Sequence, residues 1–163
     1  MNSRGPYSGV LTGAILYTAI AGEETVSVPI DVVVTRPLPR QQNQFYYVTY
    51  TKMNPTTGQI YVGRTSGYGS PQNIASIRDA NHHMTAMGYT GPAIVSTSLP
   101  ATITGGYATR ALDPSYWAIR GSEQLQIDGY RKLGISGNSI NGISPKNVNL
   151  GKYLDAARRL LNH

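Results

Sequence analysis

Residues 45–64 read FYYVTYTKMNPTTGQIYVGR. The segment from Phe45 to Lys52 is rich in aromatic and β-branched side chains, which predicts a strand, and Gln59 to Arg64 predicts a second one. Between them, NPTTG has the composition of a tight turn. The three segments together predict a β-hairpin, and the other elements are placed around it.

After the hairpin, Gly63 to Gly69 is typical of a polar, glycine-rich connection. Ser70 is a good N-cap and Pro71 a good first helical residue, so we expect a helix from there to about Met87, ending at Gly88. Four residues at helical spacing mark its expected inner face: Ile74, Ile77, Asn81 and Met84.

The remaining pattern predicts an α+β fold, with a small antiparallel sheet of about three strands flanked by helices and an N-terminal β extension. The further elements are, in order, a strand at Ala93–Leu99, a polar loop to Leu112, a helix from Asp113-Pro114 to about Leu133-Gly134, a loop at 137–149, and an amphipathic helix at Leu150–Leu161.

Residues 1–40 differ in composition from the rest and are predicted to be an N-terminal β extension and linker, followed by a domain at 41–163. Gly9 to Ala21 is mildly apolar and is consistent with a strand or with a weak signal peptide, but its 13 residues are too few to span a bilayer. Thr25 to Thr35 contains a proline and predicts an edge or bulged strand. The linker is read at residues 37–44, PLPRQQNQ.

The composition excludes some chemistries and favours others. The chain has 163 residues and no Cys, so it has no disulfide framework, thiolate nucleophile or Cys-based zinc site. The net charge is +6, and residues 41–163 carry all of it, with 11 basic and 5 acidic side chains. A basic domain attracts polyanions such as nucleic acid, although a charge of this size can also serve solubility alone.

Two tyrosines of the hairpin are candidate site residues. Tyr50 and Tyr61 are eleven positions apart across the turn, so the hairpin brings them close together. Two phenols beside a basic helix and a carboxylate could form a phosphodiester-cleaving site. A phenol with a pKa of about 10 is a weak base, however, and needs cations or a metal-bound water nearby. In a chain with 12 Tyr, both could equally be ordinary strand residues.

Two helical segments carry further candidates. Arg78 and His82 are four residues apart and share one face of the predicted helix, either as a phosphate-binding pair or as a solvated basic face. Glu123 lies in the middle of an apolar stripe, and a buried carboxylate is costly unless it is paired or metal-bound. It is therefore a metal ligand or the partner of Arg120 or Arg131.

These motifs, in this order, resemble those of the GIY-YIG nuclease superfamily. The resemblance covers about residues 45–145. Val48-Thr49-Tyr50 stands in the place of Gly-Ile-Tyr and departs from it at the first two positions. The other matches are Tyr61-Val62-Gly63 for Tyr-Ile-Gly, Arg78 and His82 for Arg-x-x-x-His, Glu123 for the helical Glu, and Asn138 or Asn141 for the final Asn.

The resemblance implies a metal-dependent endonuclease that hydrolyses phosphodiester bonds in DNA, or alternatively in RNA, with Mg²⁺ or Mn²⁺ bound by Glu123. Four further residues are expected at the nucleic acid: Gly63, Arg64, Arg120 and Lys146. The resemblance also implies a catalytic role for each of the matched residues. Tyr50 removes a proton from the attacking water, Tyr61 positions that water, and His82 assists. Arg78 stabilises the charge on the phosphate, and Asn138 or Asn141 orients the metal shell or the phosphate.

Four stretches narrow the resemblance: YVGRTSG, AIRGSEQ, GNSINGISPKN and YLDAA. They are similar to C-terminal toxin domains of bacterial polymorphic toxins of the Rhs type. This similarity implies a secreted effector that acts in the cytoplasm of a target cell, and an acidic immunity protein as its partner. No membrane span is expected.

Three other interpretations remain at this point. The chain could be a non-catalytic nucleic-acid-binding module that uses the same basic face. It could be an interaction protein whose basic patch binds an acidic partner. It could also be a restriction or repair nuclease of the same superfamily.

Overall fold

The computed structural model describes residues 44–161. Several predictions fall outside the described residues. They are the strands at 9–21 and 25–35, the linker except for its last residue, and the domain boundary between residues 40 and 41.

The described chain forms an antiparallel sheet flanked by helices, which confirms the α+β class. No helix within residues 44–161 is long and apolar enough to cross a membrane. The elements are β1 (Phe45–Met53), β2 (Ile60–Tyr68), α1 (Pro71–Ala80), a 3₁₀ turn (His83–Met87), β3 (Ile94–Pro100), a second 3₁₀ turn (Arg110–Leu112), α2 (Pro114–Lys132) and α3 (Leu150–Leu161).

The sheet has the strand order β2-β1-β3, so β1 is central and β2 is an edge strand. The pairing of β1 with β2 places Tyr50 opposite Gly63. On its other side, β1 changes register against β3 between Thr49 and Tyr50. Such an irregularity bends the strand and re-aims side chains, and here it lies directly at a predicted site residue.

The two faces of the sheet have different covers, because successive side chains of a strand point to opposite faces. Phe45 and Tyr47 pack against Ile119 of α2 and form a buried cluster on that face. Tyr50 points to the other face, where it contacts His82. The hairpin therefore presents Phe45 and Tyr47 to α2 on one face and Tyr50 to His82 on the other.

Strand β2 is longer than predicted, since the expected connection at Gly63–Gly69 is strand as far as Tyr68. The reason is the partner strand: β1 offers pairing positions back to Phe45, which lies opposite Tyr68. Side-chain composition alone underrates such a glycine-containing edge strand.

Helix α1 is shorter than predicted, because it ends at Ala80 rather than near Met87. His82 is extended, and its side chain accepts a hydrogen bond from Met84 N–H, which starts the separate 3₁₀ turn that ends at Gly88. The expectation that Arg78 and His82 share one helix face is therefore wrong. Two of the four predicted inner residues, Ile77 and Asn81, are exposed.

The last two helices have the predicted positions. The Asp113 carboxylate caps α2 by accepting from Ser115 N–H. An added Cβ at Gly121 would overlap the carbonyl oxygen of Tyr153, so α3 packs directly on the backbone of α2. This close contact leaves Glu123, two residues further along α2, turned towards the hairpin.

Candidate active site

Tyr50 is the centre of the candidate site. Its side chain is 1% exposed, and its hydroxyl oxygen lies 2.7 Å from His82 Nε2. The ring of Tyr61 stands edge-on to the same imidazole, with 5.3 Å between ring centroids. The hairpin and the segment after α1 thus bring two tyrosines and a histidine together.

Gly63 makes this packing possible. A Cβ at this position would lie 2.6 Å from the Tyr50 hydroxyl oxygen and 2.9 Å from Tyr61 Cε1. Both distances are below ordinary contact, so only glycine lets the two rings lie against the strand. The geometry gives Gly63 a packing role beside the tyrosine pair, and contact with nucleic acid stays a prediction for this residue.

Substituting Gly63→Ala should therefore destabilise the fold by about 1–3 kcal/mol, as overpacking does in well-packed interiors. Gly129→Ala is the matched control, because Gly129 lies in α2 with nothing within 4 Å of an added Cβ. The control should be neutral or stabilising by up to about 1 kcal/mol, since alanine is the better helix former. Chemical denaturation of both variants measures the difference, and equal stabilities would contradict the packing argument.

The hydrogen bonds of His82 define its tautomer. Nδ1 accepts a hydrogen bond from Met84 N–H at 3.1 Å. Burial, with the charge of Arg78, lowers the pKa of His82 to about 4, so the ring is neutral at pH 7 and carries its single proton on Nε2. Nε2–H therefore donates to the Tyr50 hydroxyl oxygen, and His82 cannot take a proton from Tyr50 through this contact.

The two phenols differ in the charges around them. Burial raises the pKa of Tyr50, while hydrogen bonding and charge from Arg78 lower it and offset part of that effect. Burial raises the pKa of Tyr61 to about 12, helped by Tyr50 and Glu123. Arg78 lowers the pKa of both phenols by its charge. Of the two, Tyr50 also has hydrogen bonds from Arg78 and His82 on its oxygen, so its ionised form is better supported.

Arg78 is exposed on the last turn of α1. The neighbouring Asp79 holds this turn to the sheet, because its carboxylate pairs with the buried Lys52 and accepts from Ala93 N–H at 3.1 Å. Burial opposes ionisation of Asp79, but these partners outweigh it and lower its pKa. Arg78 itself forms no ion pair within residues 44–161.

Glu123 is buried and paired, but with a partner that the sequence analysis did not name. Arg64 Nε donates to its Oε2 at 2.6 Å, whereas the expected alternatives were Arg120 and Arg131. Burial raises the pKa of Glu123, while the charge and hydrogen bond of Arg64 oppose that effect. The ion pair links β2 to α2, and the charge of Glu123 reaches both Tyr50 and Tyr61.

The charge of the Glu123 carboxylate acts on both tyrosines. No three His, Cys, Asp or Glu side chains cluster as metal ligands within the described part of the chain. Mg²⁺ is commonly bound by one or two carboxylates together with phosphate oxygens of the substrate. Glu123 fits such a one-carboxylate arrangement, provided that Arg64 releases Oε2 when a cation binds.

Asn138 and Asn141, left as alternatives by the sequence, have different positions. The Asn138 side chain accepts from Val62 N–H and donates to the Val62 carbonyl, both at 2.8 Å, so it covers the open edge of β2 beside Tyr61. Asn141 accepts a hydrogen bond from Arg131 instead. Only Asn138 of the two is hydrogen-bonded to the hairpin.

The other residues expected at nucleic acid are spread out. Arg64 is engaged with Glu123. Arg120 lies 4.7 Å from the ring of Tyr153, and its Nε is buried without a hydrogen-bond partner in the described residues. Lys146 is exposed in the loop before α3, and it does not line either of the two pockets that contain Arg78.

The structure also brings in residues that the sequence analysis missed or left undecided. Tyr107 and Arg110, from the loop after β3, line a pocket together with Arg64 and Arg78. From the sequence, Arg110 could equally be a solvent-exposed arginine with no binding role. The only sequence feature near Tyr107 that hints at a site is the preceding Gly105-Gly106 pair in a polar loop. Their position depends on how that loop folds back on β2.

Comparison with known proteins adds no relative: no protein-family model, curated protein or solved structure matches this chain.

Proposed function

We propose that this chain is a metal-dependent nuclease of the GIY-YIG type that hydrolyses phosphodiester bonds in DNA. The observation that carries the proposal is the buried Tyr50 hydroxyl, which receives a hydrogen bond from neutral His82 and faces the charge of Arg78. A phenol held in this way is suited to act as a general base.

Tyr50 acts in its phenolate form, in which its oxygen accepts a proton from water as the water attacks phosphorus. The P–O bond to the leaving oxygen breaks, and that oxygen leaves with the bonding electron pair and takes a proton from solvent. The His82 N–H and the Arg78 guanidinium stabilise that phenolate. Tyr61, whose pKa is about 12, stays protonated and positions the water. Arg78 also neutralises charge that develops on the phosphate.

Glu123 is the residue that would hold the metal ion, with substrate oxygens completing the coordination. When bound there, Mg²⁺ or Mn²⁺ supplies charge neutralisation at the leaving oxygen. Asn138 acts as a positioning residue, because its paired hydrogen bonds hold Val62 between Tyr61 and Gly63. Asn141, in the same loop as Asn138, accepts a hydrogen bond from Arg131 of α2 and is assigned no catalytic role.

We further propose that the nuclease is a toxin domain, delivered into a target cell and neutralised by an acidic immunity protein. The support is the resemblance of the four stretches to polymorphic toxins and the net charge of +6. Expression in a bacterial cytoplasm should then be toxic, and a small acidic protein encoded beside the chain should relieve the toxicity. Survival without such a protein would favour a restriction or repair nuclease.

The test is cleavage of supercoiled plasmid by the purified full chain with Mg²⁺, Mn²⁺ or EDTA. Cleavage is expected only with metal, and Arg78→Ala should slow it by roughly 100-fold or more, the scale of one transition-state donor. Arg159→Ala is the matched control, an exposed arginine on α3 that removes the same charge. Binding without cleavage of DNA or RNA would favour the non-catalytic module.

A further inference from the structure

The edge strand β2 is covered at two places, and two pockets lie beside the second of them. Asn138 caps the edge at Val62, and the Tyr107 hydroxyl donates to the Ser66 carbonyl at 2.8 Å. Two adjoining pockets, of about 270 and 380 Å³, lie along this edge and share Arg78, Tyr107 and the β2 backbone near Ser66. Together they form one groove, named here the β2 groove.

The β2 groove is basic. Arg64, Arg78 and Arg110 line it, and no acidic side chain does. Neither Arg78 nor Arg110 forms an ion pair within residues 44–161. The guanidinium carbons of Arg64 and Arg110 lie 5.8 and 5.9 Å from the centroid of the Tyr116 ring, so both cations pack near the same aromatic ring. Such a surface binds a chain of phosphates.

Tyr107 supplies an aromatic wall. The residue is 57% exposed, yet its ring is oriented by the hydrogen bond to Ser66 and by edge-on contact with Phe45 at 5.0 Å. Because the hydroxyl is already used within the protein, the exposed part of the side chain is its ring. An exposed, oriented tyrosine ring beside arginines is a stacking platform for a nucleobase.

The loop that carries Tyr107 and Arg110 is held at both ends. The Asp113 carboxylate accepts from Thr102 N–H, Thr102 hydroxyl and Ile103 N–H, at 2.7–3.1 Å. The groove is therefore built before a ligand arrives, so little ordering cost is left for binding.

The size of the groove favours one strand over two. Pockets of a few hundred Å³ accommodate single nucleotides, whereas a duplex keeps its bases stacked inside, away from Tyr107. Single-stranded nucleic acid is bound by basic grooves with aromatic platforms, and duplex DNA mainly through phosphates and groove edges.

We propose that the β2 groove binds an unpaired nucleic-acid strand, with a base on Tyr107 and phosphates on Arg78 and Arg110. This inference rests on the proposed nuclease function and gives its substrate class: a strand that is single or locally unpaired next to the cleaved phosphate. DNA and RNA share this chemistry, and the groove by itself does not choose between them.

The test is binding of fluorescent 12-nucleotide probes to the full chain in EDTA, followed by anisotropy. Single-stranded DNA, RNA of the same sequence and the blunt DNA duplex are compared, and the better single strand should bind at least tenfold more tightly than the duplex. Tyr107→Ala should weaken single-strand binding by roughly 5- to 100-fold, the scale of one stacked base. Tyr107→Phe keeps the ring and its contact with Phe45 but loses the hydrogen bond to Ser66, so it should bind single strands more tightly than Tyr107→Ala does.

Arg110→Ala is an independent variant, since the residue is exposed and not part of the core. In a plot of the logarithm of the single-strand binding constant against the logarithm of the salt concentration, Arg110→Ala should make the slope less steep by about 0.7, the value for one phosphate contact. Arg159→Ala on α3 should leave the preference for single strands unchanged. Equal affinity for duplex and single strands, with no loss in Tyr107→Ala, would overturn the inference.

Cleavage separates this inference from the nuclease proposal. If the protein cuts duplex plasmid with metal but shows no single-strand preference, the groove inference fails and the nuclease stands. If single strands bind through Tyr107 and nothing is cut with any metal, the groove stands as a binding site and the nuclease proposal fails.

Discussion

Tyr50→Phe is expected to lower the rate of DNA cleavage by two to four orders of magnitude, the range that a general base contributes. The substitution removes only the oxygen that His82 and Arg78 address, and it keeps the buried ring. The fold should therefore survive. The measurement is kcat for plasmid or oligonucleotide cleavage, together with a thermal unfolding curve.

Tyr47→Phe is the matched control for this variant. Tyr47 lies on the same strand and is equally buried, but its hydroxyl bonds to Asp113, at 3.4 Å. Both variants should lose similar, small amounts of stability, and only Tyr50→Phe should lose cleavage. Comparable activity in the two would remove Tyr50 from the proposed mechanism.

The pH profile adds a second readout for Tyr50. Because burial raises its pKa above the ordinary value near 10, the phenolate fraction grows about tenfold per pH unit between pH 6.5 and 9, and the cleavage rate should follow it. The pKa of His82 is about 4, so no inflection from its protonation is expected in this range. A bell-shaped profile centred near pH 6.5 would instead indicate an ionising histidine.

Glu123→Gln is expected to reduce cleavage by about a thousandfold or more, since a catalytic metal contributes several kcal/mol to transition-state stabilisation. The amide keeps the shape of the side chain and can still accept a hydrogen bond from Arg64, but it lacks the charge that a divalent cation requires. Excess Mn²⁺ should not restore the rate.

Metal binding gives this prediction a readout besides activity. Mn²⁺ bound in the presence of a non-cleavable phosphorothioate oligonucleotide, followed by electron paramagnetic resonance, should be lost in Glu123→Gln. Asp128→Asn is the control, because Asp128 lies on the same helix and its carboxylate pairs with Arg131 at 3.8 Å. Normal Mn²⁺ binding and cleavage in Glu123→Gln would exclude Glu123 as the metal ligand.

Much of the fold can be predicted from the sequence, because its signals are local. The aromatic and β-branched run before the NPTTG turn is β1, Ser70 and Asp113 cap the helices that follow them, and Leu150–Leu161 is helical over its predicted length. Each of these depends on residues within one or two turns of each other. The end of α1 was missed because His82 forms its own side-chain cap with Met84 N–H, a competitor that helical spacing does not reveal.

The candidate site was only partly predictable, because its contacts join distant parts of the chain. Residue types and order predicted that Tyr50, Tyr61 and His82 would lie together, and they do. The pairing of Glu123 with Arg64 spans 59 positions, and the choice of Asn138 over Asn141 depends on which of them reaches Val62 across 76 positions. Periodicity describes which face a residue occupies, but not which residue of another element meets it.

The sequence by itself determined the hairpin, the helix starts, the basic charge and the residue types available to the candidate site, because turn, capping and charge preferences act through near neighbours. Only the tertiary structure decided which hydroxyl accepts the hydrogen bond of His82 Nε2–H, which arginine pairs with Glu123, and which pocket Tyr107 and Arg110 line. These choices depend on the packing of the α1–β3 connection, α2 and two long loops around one edge strand, where distances of a few ångströms set hydrogen bonds and charge.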